Sequence, residues 1–418
     1  MNTYKSKRDI IKELQDIGKD ILDNKNVKVK MGQLPHTFAK HKILSEYLKR
    51  WYPILGSQHD LIYIDGFAGS GIYGDGSLGS PIIAYYLFVT HNKYPNKLSK
   101  INAEFLFIEA NKDSADTLKF VLAKVDDLLK KKGLKISSNT TYKIYIYKFE
   151  NKINDIIHNI NNREVALFGF IDPYGYTQYD LTTIIELLKY NYSSEILLNF
   201  MTGFMNRFMN DESHLDTIKK FLGLNQEEIK DILNAKNPEE KSKKLVKALY
   251  IKIYNTFKQS NPNKDIYYQN FTILGNNNNP LYELVHLTKH WKGVEEMKKS
   301  MYEASNVAGL KFSDYYYDPE AIPITNFIYP KKSEELDEKA ANYIYKILCK
   351  GKERVSQKQL ELDVITKTPY IWHQNILEIL QKEYNVKIVD EKGRETKKAP
   401  RKNEKAKESI FILCQTGK

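Results

Sequence analysis

Apolar positions along this chain follow two periods, and the periods take turns. Helical spacing comes first: Ile10, Ile11, Leu14, Ile17 and Ile21 predict an amphipathic helix over residues 7–24. A second helix follows Pro35, over residues 37–50, with Phe38, Ile43, Leu44, Tyr47, Leu48 and Trp51 as its buried face. Short apolar runs of strand length then alternate with helical stretches. Strands are predicted at 61–64, 103–108, 142–149, 165–171 and 195–200, with helices beginning at 82 and covering 114–130 and 181–190. This alternation predicts an α/β fold: a Rossmann-like sheet with helices on both faces. A polar, helical insertion is expected at about 205–265. Strands return at 267–274 and 282–288 around the turn GNNNNPL, and a helix follows at 294–304.

Past residue 334 the pattern changes. Helices at 335–349, 356–364 and 369–381 precede two strand-like pieces, 386–389 and 410–413, separated by the basic stretch KGRETKKAPRKNEKAK. Three helices and a hairpin are the order of a winged helix-turn-helix, with the basic loop as the wing. The expected division is a helical cap over 1–60, an α/β domain over 61–330 and a winged-helix-like domain over 335–418.

The chemistry concentrates in LIYIDGFAGSGIYGDGSLGSP, residues 61–81. An apolar strand ends at Asp65, dense glycines follow, and a helical pattern resumes after Pro81. Glycines so placed bring the backbone close to a ligand. GSGIYG fits the G-x-G-x-x-G pattern of dinucleotide enzymes. Two features point away from NAD: Asp65 precedes the glycines, and no acid follows about 20 residues on, where a ribose ligand would stand. The expected cofactor is S-adenosylmethionine (SAM). Glu109 ends the second strand, where a carboxylate accepts the protons of both ribose hydroxyls. Asp172 ends the fourth, in Asp172-Pro173-Tyr174-Gly175-Tyr176. Ligands of open parallel sheets bind beyond the carboxyl ends of the strands, so Asp65, Glu109 and Asp172 should share one rim. Asn199, Phe200 and Arg207 reach the same rim after the fifth strand. Lys40 and His41 stand just before the first strand, placed to close over cofactor or substrate.

Composition narrows the class. No apolar run reaches 18 residues, so no transmembrane helix is predicted. The N-terminus is charged and has no signal-peptide apolar region. Two distant cysteines, Cys349 and Cys414, suggest neither a disulfide framework nor a zinc site, which fits a reducing cytoplasm. The net charge of +12 suggests an anionic partner, nucleic acid first. The basic run KKKGLK at 130–135 reads as a solvated turn.

With these residues in view, the chain resembles the three-Cys-motif partner protein (TcmP) family. The resemblance rests on AKHKILSEYLKRWYPIL at 39–55, YIDGFAGSGIYGDGSLGSP at 63–81, FIEAN at 107–111 and IDPYGY at 171–176. EILLNF at 195–200 with Arg207, and LTKHWKGVEEMKKSMYEA at 287–304, complete it. It implies a class I SAM-dependent methyltransferase with a winged-helix-like C-terminal part, working beside a three-Cys-motif, radical-SAM-like protein. The D-P-[FY]-G form is similar to tRNA guanine N2-dimethyltransferases, and the D-x-F-A-G-x-G-x-Y loop to 23S rRNA adenine N6-methyltransferases. Both groups methylate an exocyclic amine. Here Tyr174 follows Pro173 directly, whereas the common amino-methyltransferase pattern has two prolines before the aromatic.

Residues and resemblance together place the cofactor on Asp65, Gly66, Phe67, Ala68, Gly69, Gly71, Glu109, Asn111 and Asp172. Catalysis falls to Asp172, Pro173 and Tyr174, and substrate contacts to Lys40, His41, Tyr73, Tyr176 and Arg207; no metal is expected. An alternative is a SAM-sensing or non-catalytic assembly partner of the three-Cys-motif protein, itself binding nucleic acid.

Overall fold

The apolar runs become a central sheet in the computed structural model, which describes residues 10–23, 27, 29, 31–161, 163–190, 193–305, 311–313, 325–348, 354–384, 386–398 and 403–414. Helices α1 (Ile10–Leu22) and α2 (Pro35–Leu55) come first. The alternation follows: β1 (Asp60–Asp65), α3 (Ser80–Val89), β2 (Ala103–Ile108), α4 (Lys112–Lys131), β3 (Thr140–Tyr145), α5 (Phe149–Ile160), β4 (Val165–Ile171), α6 (Leu181–Lys189) and β5 (Ser194–Phe200). Four helices fill the insertion: α7 (Thr202–Phe208), α8 (Glu212–Leu222), α9 (Gln226–Leu233) and α10 (Pro238–Ser260). Then come the hairpin β6 (Tyr267–Leu274) and β7 (Pro280–Thr288), α11 (Trp291–Ala304) and β8 (Lys311–Ser313). The chain closes with α12 (Thr325–Leu348), β9 (Arg354–Ser356), α13 (Gln357–Lys367), α14 (Asn375–Glu383), β10 (Val386–Val389), α15 (Glu404–Glu408) and β11 (Phe411–Cys414).

The eight strands lie in the order β3-β2-β1-β4-β5-β7-β6-β8. Strands β1 to β5 are parallel and β7 runs against β5, so the fold is Rossmann-like α/β. The chain steps outward from β1 to β3 and then returns to β4. Its order therefore reverses between β1 and β4, the place beyond whose carboxyl ends ligands of such sheets bind. Both faces are covered, and side chains sort by the period of two. Leu61, Tyr63, Phe105 and Phe107 join the core under α2, α3 and α4, while Ile62, Ile64, Leu106 and Ile108 join the core under α5 and α6.

Two departures from the sequence expectation have plain causes. The alternation at 142–149 predicted one strand, but β3 stops at Tyr145. Phe149 instead opens α5 and packs beneath the glycine loop, its ring 5.4 Å from that of Phe67, which leaves Ile146 and Tyr147 exposed. Helix α2 runs on through Pro53 to Leu55. Proline has no N–H for the Lys49 carbonyl one turn back, and His91 Nε2 approaches that oxygen at 3.2 Å.

The C-terminal elements have their own core, including Ala340, Ile344, Leu360, Val364, Ile376 and Ile412, together with Val294 of α11. A three-stranded antiparallel sheet, β10-β11-β9, flanks it. Lys298 of α11 joins this part to the main sheet. Its buried Nζ donates to the carbonyls of Val364, Thr368 and Tyr370 at 3.1, 2.6 and 2.9 Å, at and just past the end of α13. No helix among the described residues is long and apolar enough to cross a membrane.

Candidate active site at the carboxyl rim

Strand register sets the rim. Asp65 lies opposite Phe107 on β2 and Phe170 on β4, so Glu109 and Asp172 each stand two residues further out. After Asp65 the chain turns sharply but keeps its ladder: Gly66 N donates to Phe170 O and Ala68 N to Ile108 O, both at 2.9 Å. Gly69 and Gly71 have φ of +61° and +71°, the left-handed region where glycine is favoured. A Cβ on Gly71 would meet Leu118 Cδ1 at 2.6 Å, so that glycine is needed for packing as well. Gly69 differs: nothing lies within 4 Å of where its Cβ would be. Its amide donates to Glu109 Oε2 at 2.8 Å, and Asn111 N donates to Glu109 Oε1 at 2.7 Å. Open backbone thus lies beside a carboxylate whose remaining lone pairs are free to accept hydroxyl protons.

Several expected cofactor residues serve the loop itself. The Asp65 side chain is fully buried and accepts from Phe67 N and Tyr63 OH, each at 3.3 Å. Burial pushes its pKa up to about 7; hydrogen bonds from Ser80 and Phe67 oppose the rise, and the Asp172 charge adds to it. Asp65 braces the turn from below. The Asn111 side chain caps α4, accepting Ser114 N at 2.9 Å. Gly66 leaves no room for a Cβ, which would lie 2.9 Å from the Phe149 ring. Ala68 is buried and Phe67 partly so.

Asp172 is the hub of the rim. Lys40 Nζ donates to its Oδ1 and Oδ2 at 2.7 and 2.5 Å, and Asn199 Nδ2 to Oδ1 at 2.6 Å. The Asn199 contact follows from register: Ile171 pairs with Leu198, so the next residues of β4 and β5 are neighbours. The Lys40 side chain is 8% exposed and that of Asp172 18%. Lys40 Nζ also lies 5.0 Å from the centre of the Tyr282 ring, a cation–π contact. His41 is buried and receives Gln33 Nε2 on its Nδ1 at 2.7 Å. Burial, reinforced by the Lys40 charge against an opposing effect of Asp172, holds its pKa down to about 3, and the ring is neutral. Tyr73 is partly buried with its ring centre 6.0 Å from that of His41. Burial, with the charge of Asp172, raises its pKa.

The fold therefore brings Lys40, His41, Tyr73 and Asp172 together. Pro173 is buried, while Tyr174 is 85% exposed, anchored only by its amide to Gln178 Oε1 at 2.7 Å. The Tyr176 side chain lies outside the described residues. Arg207 is exposed on α7 with its guanidinium 5.9 Å from the Phe208 ring centre, and among the described residues no hydrogen bond or ion pair joins it to Asp172. Sequence reasoning placed Asn199 on the rim without a role; a lone amide in the apolar run EILLNF was the available signal. Gln33 and Tyr282 carried no signal, because chain folding alone brings them to His41 and Lys40.

These features define a class: a Rossmann-like α/β protein whose glycine loop and strand-end acids Glu109 and Asp172 lie at the reversal of strand order. No family model and no curated protein matches the sequence. Among solved structures the chain is similar to Trm1 from Pyrococcus horikoshii in complex with S-adenosyl-L-methionine, at 10% identity and a TM-score of 0.36, covering 65% of this chain and 62% of that one. It is similar to an O-methyltransferase from Bacillus cereus in complex with SAH, at 11% identity and a TM-score of 0.31, covering 69% of this chain and 94% of that one. A third is the plantazolicin methyltransferase BamL with a desmethylPZN analog and SAH, at 10% identity and a TM-score of 0.30, covering 67% and 98%. The chain thus spans less than two thirds of the Trm1 length. Likenesses this distant leave the fold to be read from its own strand order.

Proposed function

We propose that this protein is a SAM-dependent methyltransferase that modifies an exocyclic amine of nucleic acid, a member of the TcmP family working beside a three-Cys-motif protein. One observation carries the cofactor reading: Glu109 drawn to the Gly69 amide at 2.8 Å, beside open backbone at the reversal of strand order. Glu109 would hold the ribose hydroxyls, and the loop at Gly69 lets the ligand approach the main chain. SAM, when bound, supplies a methyl group activated on a positive sulfur.

What remains for the chain is to position and polarise the acceptor. An exocyclic amine has a delocalised lone pair and needs its N–H groups drawn away. Of the two Asp172 oxygens, Oδ1 already receives Lys40 and Asn199, while Oδ2 receives Lys40 alone. A carboxylate oxygen accepts about two hydrogen bonds. Oδ2 therefore has room for one N–H, and the Pro173 carbonyl is the candidate for the other. Lys40 and Asn199 fix the orientation of the Asp172 carboxylate. The exposed Tyr174 ring offers a face for an unstacked base.

The winged-helix reading of residues 335–418 draws on the order α12, β9, α13, α14, β10, α15, β11, with the short helix α15 in the basic loop, and on the antiparallel pairing of β10 and β11. The second reading, a SAM-sensing assembly partner, draws on the Lys40 ion pair, which engages both Asp172 oxygens. Labelled-methyl SAM with total RNA or genomic DNA separates them. Label in nucleic acid with the wild type, lost in Asp172→Ala, supports the enzyme; SAM binding without transfer, with and without the three-Cys-motif protein, supports the sensor.

A further inference from the structure

At the end of the sheet opposite the rim, the loops into β2 and β3 are rich in lysine. Residues 91–102 lead into β2 and carry Lys93, Lys97 and Lys100; residues 129–141 lead into β3 and include Lys130, Lys131 and Lys135. Neither stretch contains an Asp or a Glu. The loops are tied together. Tyr94, only 4% exposed, shares a 3.0 Å hydrogen bond between its hydroxyl and Thr140 Oγ1, and that hydroxyl accepts Ser137 N at 2.9 Å. Asn139 Nδ2 donates to Lys100 O at 3.4 Å.

All six lysines are exposed, and none forms an ion pair among the described residues. Some surface lysines elsewhere do find acids: Lys152 meets Asp155 at 3.0 Å, Lys189 meets Glu186 at 2.8 Å and Lys258 meets Asp265 at 3.0 Å. Of the acids close by in sequence, Asp127 lies one turn back on α4, and Asp60 is occupied by Asn102 N and Nδ2, each at 2.8 Å. Like charges gathered on a fixed surface repel one another, and the fold itself gains nothing from them.

We propose that this face binds the phosphate backbone of a nucleic-acid duplex, a second contact behind the active rim. It rests on the nucleic-acid reading above for the kind of polyanion. Lysine serves phosphate as a point charge without reading sequence. The exposed large apolar side chains of the protein all lie outside these two loops, so a membrane surface finds nothing to insert. Tyr94 is the one Phe, Tyr or Trp in either stretch, and it is buried, so no platform exists for stacking single-stranded bases. The six residues of β2 separate this face from the Glu109 end by about 20 Å.

The test uses the full chain and two triple variants, Lys93→Gln/Lys97→Gln/Lys100→Gln and Lys130→Gln/Lys131→Gln/Lys135→Gln. Binding to a labelled RNA or DNA duplex of about 30 base pairs, several times the roughly 20 Å span above at about 3.4 Å per base pair, is followed by anisotropy across a salt series. Each triple is expected to weaken binding at low salt by about tenfold or more and to lower the log–log salt slope by roughly 2–3, whatever the duplex sequence. SAM affinity stays at the wild-type value, which shows the fold intact. Wild-type affinity and slope in both triples overturns the proposal. So does a wild type that ignores duplexes, or one that binds anionic vesicles instead. Duplex binding without any methyl transfer would overturn the proposed activity and leave this surface standing.

Discussion

Helix α2 and strand β5 meet at two carboxylates, and the two meetings differ in kind. At the rim, Lys40 of α2 and Asn199 of β5 hold Asp172, which keeps 18% of its side chain exposed. Deeper in, Tyr47 and Trp51 of α2 hold Glu195 of β5 itself. Tyr47 OH donates to Glu195 Oε2, Trp51 Nε1 to Oε1 at 3.2 Å, and His286 of β7 meets Oε2 at 2.9 Å. Glu195 is 5% exposed, and a Cβ on Gly293 would lie 2.9 Å from its Oε2, so backbone closes the remaining side. The deeper acid has rigid, buried partners and no way in. The rim acid has a flexible lysine and a free lone pair. The same two elements thus make a strut and a site, and solvent access with spare acceptor capacity separates them.

Removing each acid should break the comparison in opposite directions. Glu195→Ala strands buried donors, and a loss of about 3–5 kcal/mol in urea unfolding is expected. A stability within 1 kcal/mol of wild type, on the order of an ordinary surface change, would remove the strut. Asp172→Asn should leave the melting curve nearly in place but lower methyl transfer by about 100-fold or more. A variant that melts early and transfers normally would reverse the assignment. Lys40→Met comes next. Asp172 then loses its main donor but keeps Asn199 and water, so transfer should fall about tenfold, the size of a charged hydrogen bond. Wild-type transfer in the variant would show that Lys40 does not act through Asp172.

The smallest effect is on pH dependence, and two buried groups oppose each other there. Asp65 rises from 3.8 to about 7 on folding, so between those values the folded state binds the extra proton and stability falls as pH rises. His41 drops from 6.5 to about 3, so between those values the unfolded state binds the extra proton and stability rises with pH. From about pH 4 to 6.5 the two cancel. Asp65→Asn should expose the His41 limb, a stability that climbs by up to about 1.4 kcal/mol per pH unit in that window. Parallel curves for the variant and wild type in a melting series would deny that Asp65 is buried and neutral.

Much of this was legible in the sequence because it is local. Strand β4 and its Asp172, strand β2 and its Glu109, and the glycines after Asp65 follow from apolar runs and turn residues. Where prediction strayed, the deciding forces act across the fold. The 142–149 alternation gave no hint that Phe149 was needed under Gly66. Asp65 looked like a ligand residue, yet its strand ends two positions short of the rim and the loop covers it. Asn111 looked like a cofactor contact and is an N-cap. Lys40 was read as a substrate residue; its partner, 132 positions away, came only with the fold.

The most direct test of the account is calorimetric titration of the purified protein with SAM, beside Glu109→Ala. Micromolar binding that the variant loses is the predicted result, since a carboxylate on paired hydroxyls contributes on the order of a few kcal/mol. No binding to the wild type, or equal binding to both, would contradict a SAM site built on Glu109 and the Gly69 turn.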